Sequence, residues 1–439
     1  MNLPAPTPEL SPLSVILCAD IGTSALKAAF IDTNGKLLAF CREPYSRLPA
    51  VSSGPPACWL SAFFRALDNL VFQHPGIRPG AVVISGNGPT LVPVLHDGKS
   101  AAPLHWFSAP SCPPEFTGGK SFFLPSVAAY KNGSPESFKK TKLFLSSQEW
   151  LSYTLGAEPV TVLPQEAYRR FYWDAGQCEK AGLDPDMFPP FAAMGSRIGK
   201  ISAVRLSEEA AQGTAKHIPI DAPVIAGGPD FIMALLGSAV IEPGMICDRT
   251  GSSEGINLCV DEQDYRRIQA GFAAETSAGD RESGEIRLLP HARQGFFNAG
   301  IVFPESGSLF EKYRRDSGQA DKPYDVLMEE ISRDSRHEAR AVLDAIAFRV
   351  KAALEKFRAA GLVPFPLPAP VQMTVSGGQA KYPLWNGIKA KVTGAVILVP
   401  EIPDGELAGD AALGALYLRG GSLEETIRRM VRIQDRFDP

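Results

Sequence analysis

Short apolar runs and longer periodic segments alternate along the first half of the chain. A continuous apolar run bounded by turn residues predicts a buried strand, whereas apolar residues at helical spacing predict an amphipathic helix. The elements predicted in this way are strands at 15–19, 26–32 and 80–86 and helices at 58–73 and 142–156. An Asn-Gly hairpin turn follows the second strand, and a glycine ends the last helix. This alternation indicates an α/β domain.

One charged residue, Asp230, stands inside the otherwise apolar segment 223–237, PVIAGGPDFIMALLG. The segment predicts a buried strand, a glycine turn and an apolar helix. Because an unpaired buried carboxylate is strongly destabilising, this acid needs either a partner or a chemical role. An aspartate at the start of a helix can cap exposed backbone N–H groups, and it can also act as a general base. The two interpretations are compatible.

The pattern of the opening segment restarts near residue 245. Residues 245–260 again predict a strand, a Gly/Ser/Thr turn and a strand. The stretch 248–253 resembles the stretch 20–24 when Asp248 is aligned with Asp20. Two such hairpins predict a duplicated architecture with a cleft between the halves. We therefore expect two domains, 1–243 and 244–439. The second half also predicts helices at 338–361, from about 383 and at 409–420, strands at 371–380 and 395–400, and a solvated surface loop at 311–323.

Composition excludes several classes of protein. The formal net charge is -4 and no Lys/Arg-rich run is present, which argues against a nucleic-acid partner. The 7 cysteines are scattered and form no C-x-x-C pair, and the 6 histidines never stand at metal-ligand spacing, so we expect neither a disulfide framework nor a transition-metal site. No apolar run approaches the ~20 residues that span a bilayer, and the Pro-rich N-terminus does not resemble a signal peptide. These observations predict a cytoplasmic protein without a membrane partner.

Two polar turns have the composition of a phosphate site. In the stretch DIGTS, residues 20–24, a glycine lets backbone N–H groups converge on an anion, the hydroxyls add donors, and the aspartate can hold a hydrated Mg²⁺. Alone, this stretch is commonly no more than turn chemistry. A second copy at 250–253 favours a pair of hairpins that grip a triphosphate from opposite sides.

A third loop, SGGQAKYPLWNG at 376–387, places two glycines and a small residue between a strand and a helix. A flat ligand such as an adenine ring can approach the backbone closely at such a position. The alternative is a plain strand-to-helix turn.

With these loops in this order, the chain resembles the FGGY family of carbohydrate kinases, within the actin/hexokinase/Hsp70 superfamily of ribonuclease-H-like folds. The resemblance covers nearly the whole chain: ADIGTSALKAAFIDTNGKLL, PVIAGGPDFIMALLGSAVIEPGMICDRTGSSEGI, SGGQAKYPLWNGIKAKVTGAVILVPE and GDAALGALYL each resemble a family motif. It implies an α/β fold of two ribonuclease H-like, actin-like ATPase domains with a cleft between them. It also implies an ATP-dependent kinase that phosphorylates a hydroxyl of a sugar, polyol or sugar acid.

The resemblance also implies roles for individual residues. Asp230 becomes the general base, and Asp20 lies beside Mg²⁺, contacting it through water. The residues implied in ATP binding are Asp20, Gly22, Thr23, Ser24, Lys27, Gly251, Ser252, Ser253, Gly378, Gln379, Ala380 and Asn386. Those implied on the carbohydrate side, together with Asp230, are Asn87, Gly88 and Trp106. A homodimer is expected from the family alone.

The chain departs from the family pattern on the carbohydrate side. The sugar-contacting motif that usually follows the strand at 80–86 is replaced by Asn-Gly-Pro-Thr at 87–90. The usual Trp-x-Asp-x-Arg reads Trp-Phe-Ser-Ala-Pro at 106–110, which removes an acid and an arginine that normally bind sugar hydroxyls. The alternative hypothesis is therefore a non-catalytic nucleotide-binding protein with a kinase fold and an eroded sugar site. The intact Asp20 and Asp230 favour the kinase.

Overall fold

The computed structural model describes residues 14–48, 55–105, 121–203, 206, 217–271, 284–334, 336–363 and 371–439. Trp106 lies outside these ranges. The strands are β1 Val15–Ile21, β2 Ala25–Asp32, β3 Leu37–Pro44, β4 Ala81–Gly86, β5 Leu91–Leu95, β6 Thr141–Ser146, β7 Thr161–Leu163, β8 Phe191–Ala193, β9 Arg197–Lys200, β10 Pro223–Pro229, β11 Ile246–Thr250, β12 Glu254–Val260, β13 Arg287–Pro290, β14 Phe297–Phe303, β15 Gln372–Gly377, β16 Val396–Pro400 and β17 Ile433–Phe437. The α-helices are α1 Pro55–Gln73, α2 Leu124–Gly133, α3 Pro135–Lys140, α4 Ser147–Thr154, α5 Ala175–Lys180, α6 Asp230–Gly237, α7 Glu262–Gly271, α8 Gly307–Asp316, α9 Tyr324–Arg333, α10 Glu338–Ala359, α11 Pro383–Thr393, α12 Gly405–Arg419 and α13 Leu423–Met430.

Two large sheets repeat one strand order. The first runs β3-β2-β1-β4-β10-β9 and the second β13-β14-β12-β11-β15-β16-β17. In both, a central strand (β1 or β11) pairs antiparallel with its hairpin partner and parallel with the strand on its other side. The next strand outward, β10 or β16, is also parallel. This repetition confirms the predicted α/β fold of two related domains.

The registers of β1 and β11 with their parallel neighbours correct the predicted echo by one residue. In the first sheet Asp20 pairs with Ser85 of β4, and in the second sheet Arg249 pairs with Ser376 of β15. The counterpart of Asp20 is therefore Arg249. Asp248, which the sequence places opposite Asp20, precedes Arg249 and points to the other face of its strand, because side chains alternate along a strand.

Helix α12 lies between β16 and β17 of the second sheet in the chain but packs on the first sheet. Its residues Leu407 and Ala411 share one buried cluster with Ile16 and Cys18 of β1. It also packs closely on α6: a Cβ at Gly409 would lie 2.2 Å from a backbone oxygen in α6, so only glycine fits there. A division at residue 243 thus separates the two sheets, but it assigns α12 to the C-terminal half although this helix packs on the sheet of the N-terminal half. The division itself stays a prediction.

Several predicted elements are confirmed, among them the strand and helix around Asp230 (β10 and α6), the long helix α10 and helix α11. The single helix predicted at 142–156 is wrong, because its first part is strand β6, paired with β5, and only the rest is α4. Apolar spacing cannot reveal a strand partner some 50 residues away in sequence. The loop predicted at 311–323 is also wrong in its first half, which belongs to α8. No helix within the described ranges combines the length and the apolar character needed to cross a membrane.

Candidate active site

Asp230 stands where β10 ends and α6 begins, with its side chain 19% exposed. Oδ1 accepts a hydrogen bond from the N–H of Phe231 at 2.7 Å, and Oδ2 lies 2.7 Å from Nη2 of Arg249. Pro229 occupies the N-cap position, so Asp230 accepts from a first-turn N–H as the first residue of the helix and not as its N-cap. The partner that this acid requires is therefore an arginine on the other sheet. Burial raises the pKa of Asp230, Arg249 opposes this effect, and Glu406 adds to it.

Charged side chains from both sheets and from α12 surround the base. Arg249 Nε lies 3.3 Å from Glu406 Oε1, and the other oxygen of Glu406 lies 3.5 Å from Lys27 Nζ. Lys27 also approaches Asp404 at 3.1 Å. Burial alone would lower the pKa of Lys27, but its carboxylate neighbours outweigh burial and raise it. The cluster thus connects β2, β11 and the start of α12 through alternating charges.

Asp20, in β1, is 3% exposed and lies at the edge of the same cluster. Its Oδ1 is 3.4 Å from Ser85 Oγ, and its Oδ2 is 3.9 Å from Lys27 Nζ. Burial and then Glu406 raise the pKa of Asp20 to about 7, against the opposing effect of Lys27. An additional cation close to this carboxyl group would stabilise its ionised form.

The first predicted phosphate turn is a fixed loop with exposed hydroxyls. The N–H of Gly22 bonds to the oxygen of Ala25 at 3.1 Å, and the Tyr45 hydroxyl donates to the oxygen of Gly22 at 3.0 Å. Thr23 and Ser24 are exposed between these anchors. The turn therefore presents two hydroxyls and its backbone to solvent from a constrained position.

The second turn is anchored by the segment that leads into α8. Gly251 and Ser252 are exposed, and Ser253 is half-buried. The oxygen of Ser252 accepts hydrogen bonds from the N–H groups of Ser306 and Ser308 at 3.0 and 3.1 Å. The start of α8 thus supports this turn, as Tyr45 supports the first one.

A fully buried polar network lies behind the second turn. The ammonium of Lys389, in α11, bonds to the carboxylates of Asp248 and Glu254. Glu254 also accepts from the Ser306 hydroxyl, which in turn accepts from Gln379 Nε2 at 3.0 Å. The network therefore ties β11, β12, the start of α8 and the turn after β15 together.

The predicted adenosine-side residues divide into one exposed and three buried positions. Gly378 is exposed, and a Cβ added to it would meet no protein atom within 4 Å. Gln379, Ala380 and Asn386 are buried, and Asn386 Nδ2 donates to the oxygen of Ala380 at 2.8 Å. Asn386 therefore shapes the turn from within, while Gly378 leaves its surface open.

On the carbohydrate side, Asn87 and Gly88 follow β4, and Gly88 lies beside Pro229, the residue before Asp230. A Cβ on Gly88 would lie 3.7 Å from Cβ of Pro229, and the Gly88-Pro89 peptide bond is cis. Asn87 is 4% exposed, and its side-chain oxygen has no hydrogen-bond partner in the described part of the chain. An unpaired buried acceptor of this kind is suited to a ligand hydroxyl. Trp106, the third residue predicted here, lies outside the described residues.

Sequence reasoning missed several charged members of this site. They are Arg249, Asp404, Glu406, Asp410 and Lys389. Asp404, Glu406 and Asp410 share a signal, because they are charges inside the glycine- and alanine-rich stretch DGELAGDAALGAL at 404–416. The test that singled out Asp230 would have found these three acids, whereas Arg249 and Lys389 stand near other charged residues and carry no such signal.

Comparisons with known proteins agree with this architecture. The C-terminal domain of the FGGY family of carbohydrate kinases matches residues 327–418. The xylulose kinase of Bacillus subtilis (strain 168) is 23% identical over 97% of this chain and 93% of its own length. The solved gluconate kinase of Lactobacillus acidophilus is 17% identical, with a TM-score of 0.73 over 97% of this chain and 94% of that one. The ligand-bound xylulose kinase of the same organism has the same identity and coverage and a TM-score of 0.71.

Proposed function

Because the chain belongs to the FGGY family of carbohydrate kinases and is an ATP-dependent sugar or polyol kinase, we propose that Asp230 is its general base. The observation that carries this proposal is the position of the carboxylate. It stands at the carboxyl end of a parallel strand, where ligands bind in open α/β sheets, with each oxygen already fixed by one donor. A base held in this way can accept the proton of one hydroxyl group in a defined position.

The reaction is an in-line transfer to a carbohydrate hydroxyl. Asp230 accepts the hydroxyl proton as the oxygen forms a bond to the γ-phosphorus of ATP. The bond from that phosphorus to the β–γ bridging oxygen breaks, and ADP leaves with the electron pair. Phosphoryl transfer depends mainly on positioning and on charge stabilisation, so one base and a cradle for the phosphates are sufficient protein groups.

The two hairpin turns would provide that cradle. Thr23 and Ser24 on one side and Ser252 and Ser253 on the other present hydroxyls, and the backbone of Gly22 and Gly251 allows close approach. Lys27 would add positive charge near the first turn. The open surface over Gly378 supports adenosine binding at the turn after β15. Gln379, Ala380 and Asn386 would then maintain the shape of this surface.

Asp20 fits a water-mediated role beside Mg²⁺. This ion usually keeps several waters and takes only one or two carboxylates, and when bound it neutralises charge on the transferred phosphoryl group. A divalent cation near Asp20 would also favour the ionised form that burial disfavours.

The substrate class is a sugar, polyol or sugar acid, bound beside Asn87 and Gly88. The relatives named above are kinases of a ketose and of an aldonic acid. The unpaired oxygen of Asn87 would accept a hydrogen bond from a substrate hydroxyl. The homodimer stays an expectation from the family resemblance, and the cytoplasmic location stays a prediction from the sequence.

The test is the substitution Asp230→Asn, assayed after a screen for substrates. The screen measures the melting temperature with Mg·ATP and then with sugars, polyols and sugar acids, since a ligand that binds the native state stabilises it. With the substrate found, Asp230→Asn should lower kcat about 10²- to 10⁴-fold and leave ATP affinity within a few-fold. Asp264→Asn is the matched control, because Asp264 also pairs with an arginine, at 2.6 Å, and its side chain is 26% exposed. Stabilisation by ATP with none by any carbohydrate would instead support the non-catalytic alternative.

A further inference from the structure

We propose that Arg249 is a positioning residue for the base: its guanidinium keeps Asp230 ionised and fixes the plane of its carboxylate. The inference rests on the proposed role of Asp230. The two residues come from different sheets, Arg249 from β11 and Asp230 from the end of β10. Their contact therefore crosses from one sheet to the other at the point assigned to proton transfer.

The guanidinium is fixed on two of its edges. Nη2 contacts Asp230 Oδ2 at 2.7 Å and Nε contacts Glu406 Oε1 at 3.3 Å, so rotation away from either carboxylate would break the other contact. Asp230 is fixed in the same way, because the N–H of Phe231 holds its second oxygen. A charge-assisted hydrogen bond of this length adds both orientation and energy.

Without Arg249, the surroundings of Asp230 would favour a neutral acid. Glu406 faces it from α12 and Asp20 from β1, and both add negative charge. Lys27 of β2 approaches these two acids, at 3.5 and 3.9 Å, and Asp404 is a further acid beside it. Among the described residues, Arg249 is the cation in direct contact with the base.

This arrangement has a consequence that a purely structural ion pair would lack. Burial and Glu406 raise the pKa of Asp230, and Arg249 lowers it. A general base must be ionised to accept a proton, so kcat should fall on the acid side as Asp230 becomes protonated. Removing Arg249 should move that fall to higher pH, because an opposite charge in contact typically lowers a carboxyl pKa by about one to three units.

The experiment compares Arg249→Gln, Arg249→Lys and a control in the intact chain. The control is Arg293→Gln, since Arg293 has the same 30% side-chain exposure and pairs with Glu424 at 2.6 Å, outside the charged cluster. Two quantities are measured: kcat against pH with both substrates saturating, and the titration of the Asp230 carboxyl by ¹³C NMR of aspartate-labelled protein. The Asp230 signal is assigned from its absence in Asp230→Asn.

In Arg249→Gln both the acid limb of kcat and the carboxyl titration should move up by about one to three pH units, and kcat should recover at high pH. Arg249→Lys should show a smaller shift, and Arg293→Gln none. An unchanged carboxyl titration in both folded Arg249 variants would overturn the inference, whatever their activity. Full activity in Asp230→Asn would instead refute the proposed base, and the NMR titration distinguishes the two failures because it does not depend on turnover.

Discussion

The carboxylates of Asp20 and Asp410 lie on either side of one hydroxyl, the Oγ of Ser85. That oxygen is 2.9 Å from Asp410 Oδ2 and 3.4 Å from Asp20 Oδ1. A hydroxyl has a single proton to donate, so it cannot satisfy two buried carboxylates at once. Burial raises the pKa of Asp410 well above its usual range, and burial with Glu406 raises that of Asp20 to about 7. The buried surroundings of Ser85 therefore favour the neutral form of both acids.

The pKa of Asp20 predicts how stability depends on pH. Its value of about 7 in the folded chain exceeds the ordinary value of 3.8, so the folded state binds this proton more tightly than the unfolded state does. The resulting stability is fully present below pH 3.8 and is lost as pH rises through 7. Asp20→Asn removes the ionisation, so the melting temperature of the variant should rise relative to that of the natural chain as the pH increases from 3.8 to about 7. A difference that stays constant over this range would contradict the raised pKa.

The same variant tests the place of Asp20 beside Mg²⁺. If Asp20 contacts the ion through water, Asp20→Asn should raise the Mg²⁺ concentration for half-maximal activity about 10- to 100-fold, as loss of an outer-shell ligand partner does. The Michaelis constant for the carbohydrate should stay unchanged. Mg²⁺ titrations of the rate at pH 8 measure the effect. An unaltered Mg²⁺ requirement would place the phosphate site elsewhere than at the first hairpin.

Substitution of the adjacent glycines Gly377 and Gly378 by alanine should have different effects on stability and on ATP binding. Gly377 has φ +96°, and a Cβ there would lie 1.9 Å from the oxygen of Thr250, so Gly377→Ala must distort the backbone. Gly378 has helical angles and open space around its Cβ position. Gly377→Ala should lower the urea midpoint markedly, whereas Gly378→Ala should keep it and weaken ATP binding. An unaffected ATP affinity in Gly378→Ala would remove this turn from the nucleotide site.

The features that could be predicted from sequence are those determined by residues within one short segment of the chain. The hairpin turns at 22–24 and 251–253, the strand and helix around Asp230 and helix α10 each follow from composition or spacing within one segment. The equivalence of Asp20 and Arg249 could not be predicted, since it depends on pairing with β4 and β15. Lys389 was missed for a similar reason: its partner Asp248 is 141 residues away in sequence. Single-segment patterns do not specify such long-range partners.

Substitution of Asn87 should impair the use of the carbohydrate substrate without lowering the stability of the free protein. Its side-chain oxygen is buried without a partner in the described part of the chain, so Asn87→Leu removes a polar group that the free protein does not satisfy. The change should therefore leave the melting temperature of the free protein unchanged or higher, because replacing an unsatisfied polar group by an apolar one of similar shape is near neutral or stabilising. It should also reduce kcat/KM for the carbohydrate about 10- to 100-fold, with the ATP constant unaltered. A large loss of stability with normal substrate kinetics would mean that Asn87 serves the fold alone.

Among the charged residues of the second domain, Lys389 should cause the largest loss of stability when it is substituted. It has no solvent exposure, and Asp248 and Glu254 raise the pKa of its ammonium although burial alone would lower it. Lys389→Met leaves both carboxylates buried without their cation, so the free energy of unfolding should fall by about 3–5 kcal/mol, as measured by urea denaturation. Adding Asp248→Leu should recover part of this loss, because one uncompensated acid is then gone. Lys139→Met, at an exposed ion pair with Glu136, should change stability by no more than about 0.5 kcal/mol. Equal losses in the single and double variants would show that packing, and not charge, makes Lys389 indispensable.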